Sequence, residues 1–248
     1  MHSGQVFRYF ETNDQYQVIS GAYYAAITAA DNKIIIKCND SDYWFNYFDL
    51  QTDYNEIKKE LKSFKQLTPA ISAGGGIRIL RGDFHEIVIS FIISANNNIK
   101  RFTKTLNLLS ETYGSKLPNE LYAFPTLQQL FMLTVEDFRH LGCGYRSDYL
   151  VKAVLQLMDM DFDKLNKLHT PELSKAILQI MGVGKKVCGC VLLFSKFHRL
   201  ESCPVDTWID KALNQLGEKD ANAILKHKYA GVAQQYVFYY LQHLKKEL

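Results

Sequence analysis

The chain has 248 residues, 47% of them hydrophobic and 22% charged, an ordinary globular balance with length for one or two domains and a sizeable core. Lys and Arg number 29 against 26 Asp and Glu, a formal charge of +3, which permits nucleic-acid binding by a local patch and excludes a polybasic binder. The longest apolar run, Ile87–Ile93 broken by Ser90, falls far below the ~20 residues of a membrane helix. The opening Met1-His2-Ser3-Gly4-Gln5-Val6-Phe7-Arg8 has no basic stretch leading into an apolar one, so no secretory leader is expected. The five cysteines, Cys38, Cys143, Cys188, Cys190 and Cys203, contain no Cys-x-x-Cys pair. That argues against a disulfide framework, a structural zinc site and a four-cysteine iron–sulfur cluster. A reducing intracellular setting is expected, with no metal and no cofactor.

Taken in chain order, residues 1–52 read as a small antiparallel β subdomain and residues 53–248 as a helical domain. Gln17–Thr28 and Lys33–Cys38 are rich in Tyr, Val and Ile and are separated by the turn residues Asp31-Asn32. Asn39-Asp40-Ser41-Asp42 reads as a second turn, and Tyr43–Leu50 as a third, aromatic strand. From Asp53 the period becomes helical. Tyr54–Phe64 carries Glu56, Lys58, Lys59 and Glu60 on one side, and Ala73-Gly74-Gly75-Gly76 is a glycine loop. Phe84–Ser94 suits a strand by composition, but its length favours a buried helix. Thr126–Leu133, Val135–Leu141 and Ser147–Met158 read as short helices. Thr170-Pro171-Glu172 starts another, with Thr170 as N-cap and Pro171 at the first helical position. Leu173, Ile177 and Ile180 then share one face, as do Val187, Cys190, Val191 and Phe194 in the next helix, and Gly231–Leu244 reads as a last amphipathic helix. The fold class is α+β, mostly α.

The most informative stretch is Ile180-Met181-Gly182-Val183-Gly184-Lys185-Lys186, where one helix ends at Ile180 and another begins near Lys185. So short a Gly-x-Gly link turns two helices back on each other and points the unpaired N–H groups of the second outward, an end suited to a phosphate. The plain alternative is an ordinary helix connection. Two lysines in a first turn oppose the helix dipole, however, which is unfavourable unless an anion or a reaction uses them. Pro204-Val205-Asp206-Thr207-Trp208 follows, Asp206 lying 20 residues after Lys186. Alone, Asp206 reads as an N-cap; a hairpin lysine followed by Pro-Val-Asp at this spacing is a far more specific pair.

These residues resemble the helix-hairpin-helix glycine/proline/aspartate superfamily of DNA glycosylases, and within it the 8-oxoguanine DNA glycosylases of the eukaryotic-like type. The resemblance covers most of the chain. It includes Gly4–Arg8, Tyr47–Leu50, Ser90–Arg101 with its Asn96-Asn97-Asn98 run, Leu141-Gly142-Cys143-Gly144-Tyr145-Arg146, the hairpin, the Pro-Val-Asp segment and Tyr229–Gln234. It implies the helix-hairpin-helix glycosylase fold with an N-terminal antiparallel sheet. It also implies a bifunctional glycosylase and abasic-site lyase acting on 8-oxoguanine opposite cytosine in double-stranded DNA. A monomer is expected, placed with the nucleoid if the source is a prokaryote.

By matched position, Lys186 resembles the nucleophile that attacks C1′ and forms a Schiff base, and Asp206 the aspartate that stabilises charge on the sugar. Attack requires a neutral amine, which partial burial and the Lys185 charge would favour. Gly182, Gly184 and Lys185 resemble the grip on the DNA backbone. The base must leave the stack. Phe238 and Cys190 resemble the two faces that sandwich it, Gln234 the reader of its Watson–Crick edge, and Gly4 the carbonyl that accepts N7–H, a hydrogen ordinary guanine lacks. Tyr145 resembles a wedge, Asn96 the residue filling the vacated space, and Arg101 and Arg146 the pair that reads the orphaned cytosine. The bland alternatives are core packing for Cys190 and Phe238, a capped helix start for Asn96–Asn98 and a solvated face for Arg101. Gly189 stands where relatives often carry aspartate, and Trp208 where some carry histidine. The alternatives for the whole chain are a glycosylase for another damaged base or a non-catalytic DNA-binding module.

Overall fold

The structure, a computed structural model, describes residues 3–12, 14–31 and 33–243, and of Leu216 the backbone alone. Met1, His2, Asn32 and Leu244, which enter the readings above, lie outside the described residues.

Four strands, β1 (Tyr9–Thr12), β2 (Gln15–Ser20), β3 (Tyr23–Ala30) and β4 (Lys33–Cys38), form an antiparallel meander in chain order. The expected single strand Gln17–Thr28 is two, folded at Gly21-Ala22 so that Ser20 pairs with Tyr23 and Val18 with Ala25. Tyr43–Leu50 is not a strand. Helix α1 (Ser41–Tyr47) begins there, because Asp40 caps it by accepting the Tyr43 N–H at 2.8 Å. Trp44, Tyr47 and Phe48 follow at i, i+3 and i+4 and close over Val6, Val18 and Ala25 in a small core of their own. The aromatic residues suit either element; the Asx cap and this spacing decide for the helix.

The helical body follows as α2 (Tyr54–Leu61), a 3-10 turn (Lys65–Leu67), α3 (Thr68–Ala73), α4 (Phe84–Ser94), α5 (Ile99–Tyr113), α6 (Leu127–Phe131) and α7 (Val135–His140). It continues as α8 (Arg146–Met158), α9 (Phe162–Asn166), α10 (Thr170–Leu178), α11 (Lys185–Phe194), α12 (Thr207–Leu216), α13 (Glu218–Leu225) and α14 (Ala230–His243). Helix α4 is the central rod, packed against α5, α8 and α11, with Val88, Ile89 and Ile93 fully buried. Being covered on all sides, it has no polar stripe for its periodicity to show. The first two turns of α14 are likewise buried all round, from Ala230 to Tyr236, rather than along one stripe.

Two buried polar clusters tie the sheet to this body. Glu86, on α4, accepts the Gly21 N–H at 2.6 Å and lies 3.8 Å from Arg8, which also donates to the Tyr122 carbonyl. Burial raises the Glu86 carboxyl above its usual range, with Arg8 opposing. Asp49, wholly buried, receives Thr52 and Tyr54 hydroxyls at 2.8 Å each, Arg81 at 3.0 Å and His198 at 3.3 Å. His198 thereby anchors the start of the strap, residues 195–206, that leads to Asp206.

Candidate DNA-lesion site

The hairpin is built from α10 and α11. Its first helix ends at Leu178, two residues before the expected end, although Ile180 is still buried in the core. Thr170 is not the N-cap of α10. His169 takes that position, and the Thr170 hydroxyl reaches across to Glu201 at 2.5 Å. Gln156 of α8 holds the turn, donating to the Gln179 carbonyl at 2.8 Å and accepting the Met181 N–H at 2.7 Å. Gly182 has φ +85, and a Cβ there would lie 3.2 Å from both Ile92 and Tyr149, so this position requires glycine twice over. Gly184 caps α11 with no side-chain partner for the first-turn N–H groups, and nothing lies within 4 Å of where its Cβ would be. That end of α11 is open to solvent.

Lys185 and Lys186 are both exposed, the latter in place of the partial burial expected, because the Gly184 cap sets the first turn of α11 at the surface. Lys186 makes no ion pair among the described residues, and its Nζ sits 5.4 Å from the centroid of the buried Phe91 ring. The strap returns the chain to the same place. Arg199 N–H donates to the Leu192 carbonyl at 2.8 Å, and Ser202 Oγ to the Gly189 carbonyl at 3.2 Å. A Cβ on Gly189 would lie 3.0 Å from Pro204 Cα, so the glycine in place of aspartate lets the strap lie directly on α11. Asp206 then caps α12, its Oδ1 accepting the Trp208 N–H at 3.0 Å and the Ile209 N–H at 2.9 Å. Its Oδ2 accepts nothing among the described residues. Burial pushes the Cys190 thiol up to about 12, with the Lys186 charge pulling it down and Asp206 adding to it. Cys203 is pushed to about 12 by burial, then by Asp206 and Cys190. Both thiols are therefore neutral near pH 7, and Lys186, Cys190, Cys203 and Asp206 share one electrostatic neighbourhood.

The N-terminal arm closes on α14 beside it. Gln235 donates to the Ser3 carbonyl, and Gln5 donates to the Arg78 carbonyl and accepts the Leu80 N–H, each at 2.9 Å. Gly4 has φ +75, and a Cβ there would lie 2.8 Å from Phe238 Cε1, so only glycine lets the backbone approach this ring. Gln234 is 7% exposed and its Oε1 is buried without a hydrogen-bond partner, an unusual state that costs stability until something donates to it. A groove of about 780 Å³ runs from Gly4 past Phe7, along Ile99, Lys100 and Asn107 of α5, to Gln242. Sequence reasoning passed over this wall. Its only local signal was that these α5 residues recur at helical spacing on one face.

The remaining candidates gather on a second loop pair. The three asparagines divide their work: Asn96 adopts φ +50, Asn97 donates to the Ile93 carbonyl at 3.2 Å, and Asn98 caps α5 by accepting the Arg101 N–H at 2.8 Å. Tyr145 is 56% exposed with its hydroxyl 3.5 Å from Asn96 Nδ2, while Arg146 is buried beneath it. Arg101 is exposed, and its guanidinium has no partner among the described residues. The Tyr145 and Tyr149 rings meet at 6.0 Å, and Tyr149 abuts Gly182, so wedge and hairpin occupy one end of the molecule. Among the described residues no group of three or more His, Cys, Asp or Glu side chains could hold a metal ion, and no helix is long and apolar enough to cross a membrane.

Residues 1–88 match the 8-oxoguanine DNA glycosylase N-terminal domain family and residues 89–230 the HhH-GPD superfamily of base excision DNA repair proteins. The Clostridium acetobutylicum 8-oxoguanine glycosylase/lyase, in complex with double-stranded DNA containing cytosine opposite 8-oxoguanine, superposes with a TM-score of 0.90 at 35% identity, covering 97% of this chain and 89% of that one. The N-glycosylase/DNA lyase OGG1 of Arabidopsis thaliana is 36% identical over 177 residues, 66% of this chain and 48% of that protein. The probable N-glycosylase/DNA lyase of Methanothermobacter thermautotrophicus is 25% identical over 229 residues, 80% of this chain and 73% of that protein. The chain thus spans about half the length of its plant relative.

Proposed function

The chain belongs to the HhH-GPD superfamily of base excision DNA repair proteins, and from that premise we propose that it is a bifunctional DNA glycosylase and abasic-site lyase that excises 8-oxoguanine from double-stranded DNA, preferably opposite cytosine. The observations that support the reading are a hairpin lysine, Lys186, with no ionic partner among the described residues, and a half-satisfied aspartate, Asp206, whose charges both act on the Cys190 thiol, with Cys203 and the unpaired amide of Gln234 lining one neighbouring cavity. Backbone binding alone needs neither of the first two.

The open N-terminus of α11 and Lys185 hold a phosphate of the lesion strand. The extruded base slides between Phe238 and Cys190, whose neutral thiol offers a flat apolar contact. Gln234 Oε1 accepts an N–H from its Watson–Crick edge, which relieves the buried unpaired oxygen. The Gly4 carbonyl accepts N7–H, and against ordinary guanine it would face a lone pair instead.

The Lys186 amine then forms a bond to C1′ as the C1′–N9 bond breaks. The electron pair leaves with the base, which takes up a proton. Asp206 Oδ2, free of the helix cap, faces the positive charge that develops on the sugar. Ring opening and loss of the amine proton give a Schiff base. The C2′ proton, made acidic by the iminium, departs, and the 3′ phosphate is expelled in β-elimination. DNA covers the surface-exposed lysine during these steps and excludes water that the free protein admits. Acting on genomic DNA, the protein works inside the cell, with the nucleoid if its host is a prokaryote.

The test is borohydride trapping on a duplex carrying 8-oxoguanine opposite cytosine. A covalent protein–DNA adduct is expected. Its absence, with no base released, would overturn the reading.

A further inference from the structure

Residues 198–206 of the strap form neither helix nor strand, so the course that brings Asp206 to its place is set by what the strap lies against. It is hydrogen-bonded to two helices. On α11 the Leu192 carbonyl accepts the Arg199 N–H at 2.8 Å and the Gly189 carbonyl accepts Ser202 Oγ at 3.2 Å. On α14 the Gly231 N–H donates to the Leu200 carbonyl at 2.8 Å. A glycine faces the strap from each helix. A Cβ on Gly231 would run into the Ser202 carbonyl and lie 2.5 Å from Leu193 Cδ1. A Cβ on Gly189 would lie 3.0 Å from Pro204 Cα, 3.2 Å from its Cβ and 3.3 Å from its N. These three atoms belong to main chain and a closed ring, and none can rotate aside.

Glycine inside a helix weakens it relative to alanine. Gly189 is buried within α11 and has no left-handed φ that would require glycine. The contact with Pro204 is what requires it. That contact links the two reacting groups. Lys186 lies three residues before Gly189, a neighbour on the surface of α11. Asp206 lies two residues after Pro204, its Oδ1 fixed by the Trp208 and Ile209 N–H groups.

We infer that Gly189 is a positioning residue: the absence of a side chain there seats the strap on α11 and so sets the place of Asp206 relative to Lys186. The consequence for catalysis rests on the glycosylase reading above; the seating of the strap does not.

The experiment compares wild type, Gly189→Ala, Ser202→Ala, Asp206→Asn and the two double variants that combine each of the first two with Asp206→Asn. One readout is single-turnover excision of 8-oxoguanine opposite cytosine. The other is maleimide labelling of each cysteine, resolved by peptide mass spectrometry. Cys203 sits on the strap between Ser202 and Pro204, and burial pushes its thiol up to about 12, so it labels slowly while the strap is seated. Cys143, buried between α7 and α8 and likewise pushed up to about 12, reports loosening of the whole fold. Gly189→Ala is expected to label at Cys203 at least tenfold faster, with Cys143 unchanged. Its excision slows at least tenfold, because a small misplacement of a reacting group is costly. In the Asp206→Asn background the same substitution changes the rate less than threefold, since the group it acts through has lost its charge. Ser202→Ala removes only the hydrogen bond to the Gly189 carbonyl and moves both readouts the same way by less. It carries the test if Gly189→Ala does not fold. Unchanged labelling of Cys203, equal acceleration at Cys143, an unchanged excision rate, or an equal rate loss with and without the Asp206 charge would each overturn the inference. A wild-type protein that excises nothing would strike the glycosylase reading, and the labelling of Cys203 would then decide the seating of the strap by itself.

Discussion

Asp49 and Asp206 are both aspartates at the edge of a helical element, and they differ in one respect. Every lone-pair direction of Asp49 is used: two hydroxyls, Arg81 and His198 surround a carboxylate with no exposure. Asp206 spends one oxygen on two N–H groups of α12 and leaves the other without a partner. The same contrast separates Arg146, nearly saturated by carbonyls, from Arg101, and sets Gln234 with its unpaired oxygen apart from Gln5, whose amide is matched at both ends. In each of these three pairs the more fully matched group ties elements of the fold together and the other keeps capacity for a ligand, although an unpaired atom is not by itself a mark of the site, since Arg8 Nε and Arg81 Nε in the structural clusters are also buried without a partner.

The sharpest way to break this contrast is at Lys186, which has no ionic partner. Lys186→Gln is expected to abolish base release and borohydride trapping while lesion DNA still binds in a gel-shift assay, whereas Lys185→Gln weakens binding and leaves trapping at saturating protein. An exchange of those two phenotypes would move the nucleophile to Lys185.

Next in size is the aspartate pair itself. Asp206→Asn keeps the helix cap, since Asn caps as well as Asp. It should retain the melting temperature and lose about a hundredfold or more in single-turnover rate, as when a preorganised electrostatic group is removed. Asp49→Asn should do the reverse, lowering unfolding free energy by about 1–3 kcal/mol because the buried site loses the charge that faces Arg81 and one of its acceptors, with the rate per folded molecule unchanged. Denaturant melts and excision rates on both variants check this together.

At Gly4 the expected effect is smaller. A 7-deaza-8-oxoguanine substrate, bearing C7–H in place of N7–H, leaves the carbonyl unpaired at a cost of about 1–3 kcal/mol, a loss of roughly tenfold to a hundredfold in excision. Equal processing of the two substrates would remove Gly4 from recognition. Comparable in size, Arg101→Ala should erode the preference for cytosine over adenine opposite the lesion by about 1–3 kcal/mol, measured as the ratio of single-turnover rates.

The smallest effect belongs to a satisfied cluster. His85 Nδ1 lies 2.5 Å from Asp83, which Lys196 also reaches at 3.1 Å. Burial would lower the His85 pKa, but the hydrogen bond and charge of Asp83 outweigh it and raise it above the ordinary value. A histidine raised in the folded state adds stability fully present below its unfolded pKa of about 6.5, and that stability is lost as pH rises through the raised value. Wild type should therefore lose on the order of 1 kcal/mol relative to His85→Asn between pH 6 and the alkaline side of that titration. A pH series of denaturant melts reads it, and the excision rate per folded molecule should not follow the same curve.

Much of the hairpin was legible in the residues because its information is local. A helix stop, Gly182, Gly184 and a helix start sit within a few residues of each other, and Asp206 announces a cap by its neighbours. The buried α4 was readable from length, while its pairing of all faces erased the periodicity that identifies surface helices. Assignment of Lys186 over Lys185, and of every pocket residue, came from resemblance to a family, since spacing alone treats the two lysines alike. What the sequence could not decide was set by distance in space. Tyr43–Leu50 carries aromatics that fit strand or helix, and the choice depended on Trp44, Tyr47 and Phe48 finding Val18 and Ala25 to cover. Thr170 was drawn away from a capping role by Glu201, a partner 31 residues distant. Lys186 was expected to be sheltered and is open, because its cover is not part of this chain's own packing. Arg146 reads in sequence like any arginine after a wedge; only the meeting of α4's C-terminus with α8's first turn commits its donors, because hydrogen bonds to main-chain carbonyls depend on where two helices end relative to each other.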